Sequence, residues 1–355
     1  MTTTMTTSET ILHRILPPEG AYAPAVLLAW PHADTDWMPI LDRVDRCYRD
    51  ITEALASLEI PVLIVHPDAD EIRRSLPSDV AKSVVPFNFM TNDTWTRDYG
   101  QITVKDNDNW IACDFKFNGW GLKFAADRDN LVTSALHNAG IIGGGYENQL
   151  GFVLEGGSIE SDGQGTILTT SRCLLSPNRN GDLDRAAVEL ALVKKLGAKR
   201  VLWLDHGGLD GDDTDSHIDT LARLASADTI VYTGAGEIKG SQRDGLLKMR
   251  AQLATFTTDR GKPYTLVELP LPRPMKDDNG DPLPATYCNY LVTPSAILMP
   301  TYNQSDLDTE AAQILERVYA RQVIGIDCSV LVEQHGSLHC ATMQIPRQLI
   351  NNTGI

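Results

Sequence analysis

The sequence predicts an α/β fold in which one strand and helix unit recurs along the chain, and two observations support this. First, residues 25–31 and 60–67 are continuous apolar runs, and residues 37–58 between them repeat apolar side chains at helical spacing. Second, five polar segments each lead into a strand-like run, with markers at Asp98, Glu155, His217, Asn289 and Cys340. Their roughly even spacing fits folds that repeat around a central axis, although α/β proteins without repeats also space strands this way.

Further helices are expected at residues 129–138, 182–196, 243–256 and 309–319. The second of these would begin at Asp182, a favourable N-cap residue, and end at Gly197, which favours the left-handed conformation that terminates helices. Residues 272–285 are interpreted as a long surface loop. No low-complexity linker interrupts the chain, so residues 1–355 are predicted to form a single domain.

The composition excludes several classes of function. The formal net charge of −16, from 31 Lys and Arg against 47 Asp and Glu, disfavours binding to nucleic acid or anionic lipid and favours a small cationic partner. The N-terminal MTTTMTTSET lacks the regions of a secretory signal, and no apolar run is long enough to span a membrane, so a cytoplasmic protein is expected. Six scattered cysteines indicate reduced thiols.

The segment GSLHCATMQIP places Cys340 in a run that reads as extended. Alternation along a strand would put Cys340 and Thr342 on one face and His339 on the other, so His339 should not be the base that partners the thiol. A nucleophilic cysteine needs an activating group, which can come from a distant part of the chain. The alternative is an inert core cysteine, as expected for the other five.

A second candidate is His217 with Asp219, two residues apart in an acidic stretch, which would share a face of a strand. A calcium loop starting at Asp210 is disfavoured, because its sixth position is Asp215 rather than Gly. Zinc stays open, but His206 and His217 come without a third ligand at a recognisable spacing. A solvated acidic turn is the other alternative.

The segment NDTWTRDYG suits a guanidinium pocket, because a carboxylate such as Asp98 can bind a guanidinium through two hydrogen bonds and Trp95 can pack against the planar cation. The alternative is a structural turn in which Arg97 and Asp93 pair internally. Glu155, before a Gly-Gly turn, could simply close a hairpin.

Taken together, five motifs in this order closely resemble the agmatine deiminase family, which also includes bacterial peptidylarginine deiminases: NDTWTRDYG, EGGSIESDGQGTILTTSRCLLSPNRN, GDDTDSHIDTLARL, YCNYLVTPSAILMPTYN and GSLHCATMQIP. The resemblance runs from about Trp30 to Pro346. It implies the pentein fold, a five-bladed α/β propeller with pseudo-fivefold repeats and an active site in the central channel.

The resemblance also implies the roles of individual residues. Cys340 would be the nucleophile, His217 the general acid and base, Asp98 and Asp219 the guanidinium clamps, Glu155 the support of the histidine, and Trp95 a wall of the pocket. The implied reaction converts agmatine to N-carbamoylputrescine and ammonia through a covalent thiouronium, a step of putrescine biosynthesis, without a metal or organic cofactor. The oligomeric state is left open.

Selectivity for agmatine requires a carboxylate for its distal ammonium. The loop that holds Asp212, Asp213 and Asp215 is close to His217 in sequence, and Asp213 and Asp215 are the expected candidates, although a solvated loop is the alternative. The chain departs from the family pattern at Gln101, at Ser158 and at residues 333–336, which bears on the channel mouth and not on the catalytic groups.

Three rival functions are retained. A related amidinotransferase or dimethylarginine hydrolase would use the same cysteine, histidine and carboxylates. A noncatalytic binding protein with the same fold would not need all five of these groups. A metal hydrolase is the most distant alternative, because no complete ligand set is recognisable in the sequence.

Overall fold

The computed structural model describes residues 14–351, so the N-terminal segment considered above lies outside the described residues. Within them, the strands form five larger sheets and one two-stranded hairpin. The strands of the five sheets, here called units 1 to 5, are Met343–Pro346, Pro24–Ala29, Val62–His66 and Val84–Asn88 (unit 1); Arg14–Ile15, Ile102–Asp106, Asn109–Lys116 and Gly145–Val153 (unit 2); Ile159–Ser161, Thr166–Thr170 and Arg200–Leu204 (unit 3); Ala222–Ser226, Thr229–Thr233 and Thr265–Leu269 (unit 4); and Leu291–Val292, Ala296–Thr301 and Gln322–Asp327 (unit 5).

All five units share one topology. An antiparallel strand pair is followed by a third strand that lies parallel to the second. Parallel neighbours need a crossover connection, and a helix supplies it in every unit. These helices are Leu41–Ser57, Val132–Asn138, Arg185–Leu196, Ser241–Leu253 and Ser305–Tyr319. The predicted α/β fold with a fivefold repeat, the pentein architecture, is therefore confirmed.

The remaining helices are short. The other α-helices are Ala69–Ser75, Ser78–Ala81, Thr96–Tyr99, Gly119–Leu122, Ser171–Leu174 and Pro177–Asn180. The 3₁₀ helices are Met38–Ile40, Asp129–Leu131, Gly156–Ser158, Ile218–Thr220, Leu331–Gln334 and Arg347–Leu349. None of the helices in the described part of the chain is both long and apolar enough to cross a membrane.

Unit 1 joins the N-terminal and C-terminal parts of the described residues. Its last strand in sequence, Met343–Pro346, pairs antiparallel with Pro24–Ala29, near the start of the described residues. The turn before this strand is fixed on the Thr96–Tyr99 helix, because Thr96 Oγ1 donates to the carbonyl of Ala341 at 2.9 Å and Arg97 N donates to the carbonyl of Cys340 at 3.1 Å. The fold therefore brings Cys340 close to Asp98, although most of the chain separates the two residues in sequence.

Most predicted helices and strands lie where the pattern placed them, but one helix start and one loop need correction. The helix predicted from Asp182 begins at Arg185, and its N-cap is Asp184, whose carboxylate accepts from Ala187 N at 2.9 Å. Gly197 ends this helix with φ 73°, as predicted. The loop predicted at residues 272–285 contains the two-stranded hairpin of Met275–Lys276 and Pro282–Leu283.

Candidate active site

The five marker residues converge because each lies in the short turn that precedes the antiparallel pair of a unit. Three of these turns are the helices Thr96–Tyr99, Gly156–Ser158 and Ile218–Thr220, and the other two are turns around residues 287–290 and 338–341. These five turns thus bring together one residue from each unit: Asp98, Glu155, His217, Asn289 and Cys340. Contacts between these side chains, described below, show the convergence directly.

Cys340 lines a cavity of about 410 Å³ and is itself only 6% exposed. Its Sγ lies 3.2 Å from Asn289 Nδ2 and 3.9 Å from Asp219 Oδ2. Burial and the neighbouring carboxylates of Asp219 and Asp98 raise the pKa of this thiol well above its usual value. The expected extended run is wrong at Cys340, because the chain forms a turn there and the strand begins only at Met343.

His217 lies beside Asp98, and its two ring nitrogens form no hydrogen bond with the described residues. Nδ1 lies 3.6 Å from Asp98 Oδ1, and neither ring nitrogen has a hydrogen-bond partner among the described residues although the ring is fully buried. Burial opposes protonation, but the Asp98 carboxylate raises the pKa of His217 well above its usual value. The strand expected here is instead a 3₁₀ turn, which His217 precedes as its N-cap residue.

Asp219 is held on one oxygen and free on the other. Oδ2 accepts from His339 Nδ1 at 2.7 Å and from Asn289 Nδ2 at 3.3 Å, whereas the buried Oδ1 has no partner among the described residues. Burial opposes ionisation, but the hydrogen bond from His339 and its charge lower the pKa of Asp219. This carboxylate is therefore ionised and has one oxygen available for a donor.

Asp98 is fixed from two sides. Trp120 Nε1 donates to Oδ2 at 2.9 Å, and Gly157 N donates to Oδ1 at 3.1 Å. Burial raises the pKa of Asp98 to about 6, against the lowering effect of His217. Sequence reasoning missed Trp120, whose only local indication is its position between Gly119 and Gly121 in a segment with positive φ. Asn289 was used as a marker but given no role.

Glu155 lies beside the histidine without bonding to it. Its carboxylate accepts from Arg179 Nε at 2.8 and 3.1 Å, and both side chains are fully buried. A carboxylate oxygen lies within 4.8 Å of a ring nitrogen of His217. Glu155 therefore contributes negative charge next to His217 rather than a hydrogen bond.

Trp95 forms one wall of the cavity, as its predicted role requires, and is 4% exposed. Its ring packs against Trp37 at a centroid distance of 5.8 Å, and a Cβ at Gly336 would lie 2.2 Å from the ring. Residues 333–336, where the chain departs from the family pattern, all line the same cavity. This departure lies in the cavity wall, whereas the other two, Gln101 and Ser158, are not among the residues that line the cavity.

The two aspartates predicted to bind the distal end of the substrate have different surroundings. Asp215 contacts Arg179 Nη1 at 2.7 Å and Lys123 Nζ at 2.9 Å, so both of its oxygens already have cationic partners, and it is not among the residues that line the cavity. Asp213 lines the cavity, and no described side chain forms an ion pair or hydrogen bond with its carboxylate. Burial raises the pKa of Asp213.

The internal ion pair considered as the alternative in NDTWTRDYG is not formed. Arg97 Nη2 instead donates to Gln344 Oε1 at 2.7 Å and to Glu19 Oε1 at 3.4 Å. Asp93 accepts from Thr94 N at 2.7 Å and lines the cavity.

Two groups among the described residues have side chains that could bind a metal ion, but in each group an arginine already bonds to a carboxylate. Glu155, Cys173 and His217 lie within 4.8 Å of one another, but Arg179 binds the carboxylate. Glu19, Glu160 and His339 form the second group, in which Arg223 bonds to both glutamates. His206 belongs to neither group. Cys173 is a fully buried core residue, as expected, and it also lies beside His217.

Comparisons with known proteins agree on one family. The model of the Porphyromonas-type peptidyl-arginine deiminases matches residues 15–346. A solved structure named "Putative Arginine Deiminase from Porphyromonas gingivalis" is 44% identical with a TM-score of 0.90, covering 95% of this chain and 100% of the other. A cysteine-to-serine variant of C. jejuni agmatine deiminase with substrate bound is 33% identical with a TM-score of 0.85, covering 94% and 96%. A Vibrio parahaemolyticus protein named "Putative agmatine deiminase" is 31% identical over 92% of this chain and 97% of its own length.

Substitution of Gly157 tests whether these groups form one site. A Cβ there would lie 2.7 Å from His217 Nδ1, 2.9 Å from Asp98 Oδ1 and 3.1 Å from Asp219 Oδ2. Gly157→Ala should therefore lower kcat/KM by about 100-fold, because small displacements of reacting groups are costly. Gly151→Ala, where a Cβ meets nothing within 4 Å, is the control. Full activity in a folded Gly157→Ala enzyme would contradict this arrangement of the site.

Proposed function

Because this chain belongs to the family of Porphyromonas-type peptidyl-arginine deiminases, we propose that it is an agmatine deiminase, which converts agmatine and water to N-carbamoylputrescine and ammonia. One observation carries the proposal: the Cys340 thiol, the unpartnered ring of His217 and the carboxylates of Asp98 and Asp219 meet at a single buried site. Such a site suits a planar cation, because the carboxylates can bind its N–H groups while the thiol attacks its central carbon.

Two carboxylates bind the guanidinium of the substrate. Asp219 offers its unpartnered Oδ1, and Asp98 has acceptor capacity left beyond the bonds from Trp120 and Gly157. Because donors from other parts of the chain already fix both carboxylates, the guanidinium carbon is oriented toward Sγ without further ordering of the protein. Trp95 packs against the cavity side of the bound cation.

Substrate binding also generates the nucleophile. Burial and the neighbouring carboxylates keep the Cys340 thiol protonated in the free site, since they raise its pKa. A bound guanidinium places a positive charge beside Sγ, and an opposite charge at that distance lowers a thiol pKa. The thiol proton leaves to solvent, and the thiolate forms where its target already lies.

His217 then serves both halves of the reaction. The thiolate adds to the guanidinium carbon, and His217, protonated because of its raised pKa, donates a proton to the departing nitrogen. Ammonia leaves and a cationic thiouronium remains on Cys340. The neutral His217 next accepts a proton from water as it attacks this carbon. Cleavage of the C–S bond restores the thiolate, and the hydroxyl proton of the adduct leaves to solvent as the ureido product forms.

Asp213 supports the choice of agmatine. Its carboxylate lines the cavity without an ionic partner among the described residues, and Asp36 lines the same cavity. A distal ammonium is attracted by this negative charge, whereas the α-carboxylate of free arginine is repelled.

A cytoplasmic location is also part of the proposal, and it is supported by six unpaired cysteines between residues 47 and 340.

Deimination of arginine or peptidylarginine is the second candidate. Two solved structures whose names refer to arginine or peptidyl-arginine deiminases share 44% and 40% identity with this chain, more than the 33% of the C. jejuni agmatine deiminase. The chemistry at Cys340 is the same in both candidates, and only the far end of the substrate differs.

Ammonia release from agmatine, arginine, a peptidylarginine and methylated arginine, measured side by side, separates the candidates. Agmatine should give the highest kcat/KM. Asp213→Asn should lower this value by about 10- to 100-fold, mainly through KM, because a hydrogen bond to a charged group contributes about 1.5–3 kcal/mol. Asp210→Asn, an exposed aspartate of the same loop, is the control. Faster turnover of arginine or peptidylarginine would overturn the agmatine assignment and leave the deiminase chemistry intact.

The pH dependence of kcat/KM should show an acid limb set by Asp98. Its pKa of about 6 means that the clamp is ionised above this pH and loses its charge as the pH falls below it. The guanidinium of agmatine does not titrate in this range. In Asp98→Asn the acid limb should disappear and the plateau should drop. Asp114, a carboxyl outside the cavity with its pKa also raised to about 6, is the matched control as Asp114→Asn. An unchanged acid limb in Asp98→Asn would contradict this role.

A further inference from the structure

The strongest unassigned feature is a buried polar network behind the catalytic groups. His339 and Cys340 are adjacent in sequence, but they face different spaces: Cys340 lines the substrate cavity, whereas His339 lines a separate cavity of about 60 Å³. Asp219 lies between the two, within 2.7 Å of His339 Nδ1 and 3.9 Å of Cys340 Sγ. Among the described groups of the site, the His339 ring bonds to Asp219.

The contacts of His339 fix the orientation of its ring. Because Asp219 is an ionised carboxylate, the Nδ1 that faces its Oδ2 must carry a proton. Nε2 lies 3.2 Å from Glu19 Oε2 and 3.2 Å from Arg223 Nη2. The backbone N of His339 donates to Asn289 Oδ1 at 2.9 Å. The ring is thus held at both nitrogens and 2% exposed.

Glu19 connects this ring to two other parts of the fold. Its carboxylate bonds to Arg97, in the turn before unit 2, to Arg223, in the first strand of unit 4, and to His339, in the turn before unit 1. Burial opposes ionisation, but the positive charges of these partners hold the pKa of Glu19 at about 2. Glu19 is therefore ionised at neutral pH, and it lies on the side of the site away from the substrate cavity.

We propose that Glu19 and His339 form a positioning relay that keeps Asp219 Oδ1 directed at the substrate guanidinium. The inference rests on the proposed function and adds two residues to it. With Nδ1–H of His339 and the amide of Asn289 both on Oδ2, the carboxylate cannot rotate without breaking a buried hydrogen bond. Loss of the Nδ1 donor frees Asp219 to turn, which misplaces the guanidinium carbon relative to Sγ.

Two near-isosteric substitutions separate this role from a merely structural one. The amide nitrogen of asparagine is bonded to Cγ, as Nδ1 of histidine is, whereas the amide nitrogen of glutamine corresponds to Nε2. His339→Asn should therefore keep the donor to Asp219 and most of the activity. His339→Gln and His339→Ala should lose about 10- to 100-fold in kcat/KM, the usual effect of removing a group that orients a site residue.

The loss should appear mainly in kcat, because the charge of Asp219 still attracts the cation. Equal losses in His339→Asn and His339→Gln, in proportion to a lower melting temperature, would overturn the relay and indicate a role in folding alone. Glu19→Gln should lower kcat in the wild-type background and have little further effect in His339→Asn. Additive effects would show that Glu19 does not act through His339.

A readout without turnover distinguishes failure of the relay from failure of the proposed function. The rate at which iodoacetamide alkylates Cys340, followed by peptide mass spectrometry against pH, requires no guanidine substrate. Its midpoint should be unchanged in His339→Asn and move to lower pH in His339→Gln, because an Asp219 that has rotated away raises the thiol pKa less. An unchanged midpoint in both variants would overturn the relay, whichever guanidine compound the enzyme accepts.

Discussion

The structure depends on the burial of two carboxylates, Asp98 and Asp219, next to a thiol. An ionised carboxylate without a partner is too costly to bury, so each must receive hydrogen bonds or a compensating charge. Trp120 and Gly157 supply them to Asp98, and His339 and Asn289 supply them to Asp219. His217, whose Nδ1 lies 3.6 Å from Asp98 Oδ1, balances part of the charge of Asp98. The negative charge that remains faces the cavity, and a guanidinium is a cation that would balance it.

The repeated topology explains how donors from distant parts of the chain reach one place. Each unit begins with a short turn before its antiparallel pair, and these turns carry the site residues. Pairing of Met343–Pro346 with Pro24–Ala29 completes unit 1 and fixes the turn that holds Cys340 against the Thr96–Tyr99 helix. A site distributed over all five units requires every unit to be folded, and Glu19 adds a charged contact among three of its parts.

Local patterns predicted the helices, the strands and the five markers, because apolar periodicity and turn chemistry depend on neighbours in sequence. Patterns failed where the answer depends on distant partners. Alternation along an assumed strand could not show that Cys340 lies in a turn, since the strand begins only where Met343 meets its partner strand. Asp213 and Asp215 look equivalent in sequence, and only the contact of Asp215 with Arg179 distinguishes them. The contacts of Trp120 with Asp98 and of Glu19 with His339 join residues far apart in sequence, so the sequence around each residue does not predict its partner.

Covalent catalysis at Cys340 is tested most directly by mass spectrometry of His217→Ala enzyme quenched during incubation with agmatine. Without His217 both the departure of ammonia and the attack of water should slow, and the thiouronium that does form should persist, so an amidine adduct should be found on the peptide that contains Cys340. Cys340→Ser treated in the same way should carry no adduct and release no ammonia. An adduct on another residue, or ammonia release by Cys340→Ser at the wild-type rate, would contradict the mechanism.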